Sequence, residues 1–176
     1  MALFIILFYC FFALPYATGV PPILSQTGIN SSENRLYVPQ YPLWTDGAVK
    51  TRWIYLPQSS QINTENADQW IFPVGTKLWK QFSFKNTGKL KRVETRLMEK
   101  TGEGEWQFAS YLWNEQETEA VLAPEDGVKN YYKTSENTFH DIPSTTNCAR
   151  CHRRGGDALL GFDAIQLSLD TSSVSP

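Results

Sequence analysis

Between Val49 and Ile142 the chain keeps returning to one pattern, short runs in which bulky apolar side chains alternate with polar ones. The clearest is Lys77-Leu78-Trp79-Lys80-Gln81-Phe82-Ser83-Phe84. Successive strand side chains point to opposite faces, so a period of two fits a strand, and a helix would need 3.6. Residues 49–56, 77–84, 90–98, 105–113 and 131–142 read as strands on this criterion. Turn signals stand at Asn86-Thr87-Gly88 and Gly102-Glu103-Gly104, and links this short join antiparallel neighbours. The expectation is a mainly β fold, a single antiparallel β-sheet domain with a few short helices. Asn114 and Glu117 have the spacing of an N-cap pair, and 120–123 continues it as one short helix or as a loop. Residues 145–160 suggest a short helix or turn.

The 176 residues suffice for one domain with one core. Residues 1–17 contain no charged side chain, a run long enough for a secretory signal and short for a membrane span. Ala17 and Gly19 suit a signal-peptidase site, which places the mature start near Val20. The organisation read from this is a signal peptide over 1–19, a β-rich domain over 20–169 and a flexible polar tail over 170–176, in a protein exported to the periplasm or outside the cell. The alternative is an uncleaved N-terminal anchor, the one route to a membrane that the sequence offers. Cys10 lacks the small preceding residue of a lipid-modified cysteine. Net charge is −2 and the basic residues are scattered, so there is no electrostatic footprint for nucleic acid.

Without the export segment, two cysteines remain, and they fall in Cys148-Ala149-Arg150-Cys151-His152. In C-x-x-C-H, two thiols can bond the vinyl groups of one haem while the adjacent imidazole reaches the iron. Such a pentad arises by chance in on the order of one chain in a thousand of this length. The cofactor expected is one covalently bound haem c with its iron, attached through Cys148 and Cys151 and ligated by His152. A disulfide or a redox C-x-x-C is the bland alternative, but the latter belongs to a βαβ context. Zinc would have only His140 as a further nitrogen ligand. Residues 153–176 contain neither Met nor His, so a sixth ligand cannot follow the motif in the usual way. Met98 and His140 are the upstream candidates, each with packing as its alternative role. A five-coordinate or unusually ligated iron is therefore expected.

A C-terminal C-x-x-C-H on a β-rich domain resembles the β-sheet cytochromes, cytochrome P-460 and cytochrome c′-beta. The matching pieces are Phe72 to Lys80 (FPVGTKLWK), Gly104 to Phe108 (GEWQF) and Ile142 to His152 (IPSTTNCARCH). A broad group of exported bacterial haem proteins without an assigned role is similar through Tyr41 to Asp46 (YPLWTD), Glu94 to Leu97 (ETRL) and Tyr111 to Glu115 (YLWNE). The resemblance implies haem held on one side of an antiparallel sheet, His152 as the proximal ligand, and a role in electron transfer, small-ligand binding or hydroxylamine-type redox chemistry. Where the oxidising members carry an acidic residue soon after the haem histidine, this chain reads Arg153-Arg154-Gly155-Gly156-Asp157.

Two further sets of residues draw expectations. Arg150, Arg153 and Arg154 surround the motif, and a guanidinium there suits a haem propionate, with solvated surface charge as the alternative. Alternation puts Lys80 on the face of Leu78, Phe82 and Phe84. Burying an unpaired ammonium is costly or forces it neutral, and the resemblance aligns Lys80 with the lysine that cross-links to the haem ring in oxidising members. Lys80 is thus the candidate for the distal haem pocket; otherwise its stem lies along apolar surface with its head in water. The reading is a periplasmic monohaem c-type cytochrome acting with a redox partner protein or a small-molecule ligand. The alternatives are an enzyme oxidising or reducing a small nitrogen compound, and a non-haem Trp-rich binding module. Strand alternation assigns several tryptophans to the core.

Overall fold

A computed structural model describes residues 19–168 apart from 68, 136, 153–156, 158 and 160. Residues 1–18, within the expected signal peptide, Arg153, Arg154 and residues 170–176 lie outside the described residues. The fold is mainly β. Strands β1 (Arg35–Leu36), β2 (Val49–Tyr55), β3 (Lys77–Asn86), β4 (Lys89–Gly102), β5 (Glu105–Trp113) and β6 (Ala120–Leu122) form one antiparallel sheet in sequence order. Strands β7 (Val128–Ser135) and β8 (Thr138–Ile142) form a separate hairpin, followed by α1 (Thr145–His152) and α2 (Ala164–Leu167).

Two local expectations are corrected. Ala120–Leu122 is neither helix nor loop but the edge strand β6, pairing Tyr111 with Leu122 and Trp113 with Ala120. Three residues cannot repay helix nucleation, whereas an open strand edge satisfies their backbone at once. Asn114 makes the return turn, its side chain accepting from Thr118 N at 2.9 Å, and Glu117 pairs with Arg92. The 131–142 run is two strands, because the chain turns between Ser135 and Thr138 without a Gly or Pro to mark it.

Both sheet faces are buried, which is why apolar residues occur at both parities of β3. On one face Trp79, Leu97, Ala109 and Tyr111 pack with Val20 and Leu24. The N-terminal segment is also held by polar bonds, Trp79 Nε1 to Thr27 Oγ1 at 2.9 Å and Tyr111 OH to the Pro21 carbonyl at 2.8 Å. The other face is read from the register. Ile54, Leu78, Met98 and Phe108 are successive cross-strand partners, and the next row is Arg52, Lys80, Arg96 and Ser110. The apolar row joins a cluster with Phe72, Trp106, Leu159 and Phe162, while Phe82, Phe84 and Val93 form a smaller cluster beyond the charged row. Each fully buried side chain of this size contributes about 1.5–3 kcal/mol. Of the six tryptophans only Trp44 is well exposed, at 77%.

Gly127 sets how the β7–β8 hairpin meets α1. Its φ is +74°, and a Cβ there would lie 2.7 Å from Pro143 C and Ser144 N, the backbone leading into the helix. Gly127→Ala is therefore expected to destabilise the protein by at least about 2 kcal/mol, combining left-handed strain with a backbone clash. A urea midpoint equal to wild type would refute this. No described helix is long and apolar enough to cross a membrane.

Candidate functional site

The helix α1 carries the cysteine motif, and its position is set at its first turn. The chain arrives through Pro143, Thr145 N donates to the Glu125 carbonyl at 2.9 Å, and the Ser144 hydroxyl accepts from Asn147 N at 3.1 Å. That last bond is an N-cap bond, so the helix starts where its orphan donors find acceptors. Cys148 and Cys151 are three apart and Cys148 and His152 four apart, spacings that share one helical face. That face meets the sheet. Cys148 and Ala149 pack against the Leu78 and Phe108 cluster, and the His152 ring lies 6.0 Å from that of Phe108.

Cys148, Cys151 and His152 line one cavity of about 390 Å³. Its floor is the sheet face, with Leu78, Met98 and Phe108 in one row and Arg52, Lys80 and Arg96 in the next. Its far wall is the segment after the motif. Leu159 and Phe162 reach over it, and Asp163 caps α2 by accepting from Gln166 N at 2.9 Å. Gln166 accepts from the backbone of Gln40 and Tyr41, which ties this wall to the 37–43 loop at the cavity mouth. The volume and the mixture of apolar walls with a few polar groups suit a bound small molecule.

The two thiols are not joined to each other. Burial pushes the Cys148 thiol up, so it sits in the cavity as a neutral nucleophile-in-waiting rather than as a thiolate. Burial, together with the Lys80 and Arg96 charges, pushes His152 down to about 4. Its imidazole is thus neutral at ordinary pH, the form that can ligate a metal. Its Nδ1 is fully buried and without a hydrogen-bond partner, a deficiency costing about 1–3 kcal/mol unless a ligand accounts for it. The described residues nowhere gather three or more His, Cys, Asp or Glu side chains as a metal site.

The other expected site residues separate cleanly. Lys80 lines the same cavity as His152, with Phe82 as its ring contact at 5.2 Å. Burial, followed by the Arg52, Lys50 and Arg96 charges, pushes Lys80 down to about 8, against a smaller upward pull from Glu94. Met98 also lines the cavity. His140 does not: it is buried with Nδ1 3.0 Å from Asp46 Oδ2 and Nε2 2.9 Å from Glu94 Oε2, so both ring nitrogens are occupied. Arg150 is exposed and is not among the cavity's lining residues, while Arg153 and Arg154 lie outside the described residues. Sequence reasoning missed Arg52, Arg96 and Tyr37 in the lining. Asp157, which follows the motif, faces the core instead and bonds Lys100, Trp106 and Phe72.

The lowered Lys80 amine has a consequence for stability. A folded value of about 8 against the usual 10.5 means the unfolded chain binds more protons between those pH values, so stability rises with pH across that window. Lys80→Met is expected to abolish that rise and to stabilise the protein at pH 7 by on the order of 1 to 2 kcal/mol, less than the full shift implies because the cavity admits water. Chemical denaturation of both proteins at pH 7 and pH 10.5 checks it; an identical pH dependence in the two would refute it.

No protein-family model, curated protein or solved structure matches the chain, so the resemblance to β-sheet cytochromes rests on the sequence motifs alone.

Proposed function

We propose that this chain is an exported monohaem c-type cytochrome, acting in electron transfer or in small-ligand redox chemistry. One observation carries the reading: a C-x-x-C-H helix turns two unbonded thiols and a neutral, partly unpartnered imidazole into a single cavity. A disulfide-forming pair would have no use for the adjoining histidine or the cavity. Cys148 and Cys151 would hold the haem and His152 would ligate its iron, while Leu78, Met98, Phe108, Leu159 and Phe162 would provide its apolar walls. When bound, haem supplies one-electron chemistry and an axial position for a ligand. The chain's own residues set access to it, because the 37–43 loop and α2 close the mouth and Arg52, Lys80 and Arg96 place positive charge at the floor.

The test is the absorption spectrum of the exported protein from a host that matures c-type cytochromes. A reduced haem spectrum that survives denaturation is expected; colourless protein from such a host would reject the reading.

A second reading, an enzyme acting on a small nitrogen compound, is favoured by one feature, the Lys80 amine in the same cavity as His152. Such chemistry needs an open axial position, which carbon monoxide binding to the reduced protein would report. An unchanged reduced spectrum under carbon monoxide would leave electron transfer ahead.

A further inference from the structure

The row Arg52, Lys80 and Arg96 is hard to explain as a structural device. The three residues are direct cross-strand partners on β2, β3 and β4, and like charges directly opposite each other destabilise a sheet. Only one of the three is compensated. Arg96 makes two hydrogen bonds to the fully buried Glu94, at 2.8 and 2.9 Å. Arg52 is 7% exposed, and neither it nor Lys80 makes an ion pair among the described residues; Lys80 lies by the Phe82 ring and feels Glu94 only as a weaker attraction than the repulsion of Arg52, Lys50 and Arg96. The carboxylates nearest the cavity are already engaged, Glu94 by Arg96 and His140 and Asp163 as the cap of α2. A buried cation without a counter-charge is strongly unfavourable, and all three line the one cavity.

We propose that Arg52, with Lys80 and Arg96 beside it, is the binding site for a planar oxyanion, a carboxylate or an anion of nitrite shape, inside this cavity. Guanidinium presents a planar fork of donors that matches two oxygens at once, and lysine adds a point charge. Adjacent strands are about 4.7–4.9 Å apart, so Lys80 stands between the two arginines in the row, and it is their long side chains that would converge on one small anion in the cavity. The neighbouring apolar row of Leu78, Met98 and Phe108 shields the bonds from water and strengthens them. Burial lowers both the Lys80 and the Arg52 values, and for Lys80 the Arg52 and Arg96 charges add to it. The anion has two sources, a carboxylate of the cofactor or a free ligand. The site rests on the strands and the cavity, so a protein that proved colourless would sink the haem reading and leave this one intact.

Formate is the probe, titrated calorimetrically at low salt into the full exported chain with and without covalent haem. Binding in both forms identifies a free-ligand site, and binding only in the haem-free form identifies a site filled by the cofactor's own carboxylate. Arg52→Gln is expected to weaken formate at least about tenfold wherever wild type binds it, whereas Lys129→Gln, on the exposed side of β7, leaves affinity unchanged. Equal losses in the two variants, or no formate binding in either form, overturns the proposal. Should the haem-free chain not fold, the loaded protein decides through the sign of a melting shift. Removing an unpaired buried cation raises the midpoint, and removing one paired with an anion lowers it. A loaded Arg52→Gln protein with wild-type formate response and a raised midpoint would overturn the site.

Discussion

Cys148→Ala with Cys151→Ala is expected to yield an exported protein with no covalently held pigment at all, the largest functional change any substitution in this chain should produce. On the proposed reading both thioether bonds would need these sulfurs, and beyond the apolar 1–17 run the chain contains no other cysteine. The same change should lower stability. The cavity of about 390 Å³ has apolar walls at Leu78, Met98 and Phe108 that a bound group would cover, and a ligand that binds only the folded state stabilises it by mass action. On the same reading His152→Ala would separate ligation from attachment, because it would remove the residue proposed to hold the iron and leave both thiols. Its pigment should stay covalent and its absorption bands should move. Denaturing gels stained for haem and spectra of the three proteins provide the check. Pigment retained through denaturation by the double variant, or a His152→Ala spectrum identical to wild type, would remove the haem assignment.

What the sequence could and could not show follows from what alternation encodes. Period two places β2 to β5 well, because those strands lie in a sheet whose turns carry Gly and Asn. It also puts Lys80 on the Leu78 and Phe82 face, where the structure finds it. Alternation is blind to Arg52, because Thr51, Trp53 and Tyr55 look like the apolar face of β2 and the sheet is buried on both sides. Only the register, which sets Arg52 opposite Lys80 and Lys80 opposite Arg96, turns three scattered cations into a row. The register is a tertiary property, fixed by the turns and by both cores together. The role of His140 was hidden for the same reason: Asp46 and Glu94 are 94 and 46 residues away in the chain. Asp157, shortly after the motif, drew no expectation from the sequence, and its bonds to Lys100, Trp106 and Phe72 are likewise tertiary.

That use of Asp157 makes a large and specific prediction. Its carboxylate is 5% exposed and holds three donors: the Lys100 ammonium, Trp106 Nε1 at 3.1 Å and Phe72 N at 3.0 Å. Lys100 is itself 1% exposed and donates also to the Phe72 carbonyl at 2.6 Å. The pair anchors the chain five positions beyond His152 to strands β4 and β5, just before Leu159 and Phe162 fold over the cavity. Asp157→Ala would leave two N–H groups unpaired and take from the buried Lys100 ammonium its one buried carboxylate, with only the Phe72 carbonyl and the exposed Glu103 at 3.6 Å remaining. Breaking a buried pair in this way costs about 3–5 kcal/mol, which for a domain of this size lowers the melting midpoint by roughly 10 °C or more. The charges, not the volume, are responsible, so Asp157→Leu with Lys100→Met should recover most of the loss, since an apolar replacement of both partners is often neutral or better. Urea titration of wild type, the single variant and the double variant tests both expectations. If Asp157→Ala unfolds within about 1 kcal/mol of wild type, the pair is not the anchor. If the apolar double variant is as unstable as Asp157→Ala, the loss comes from packing and from the Trp106 and Phe72 N–H groups left without the carboxylate, and the account of the anchor by its charges fails.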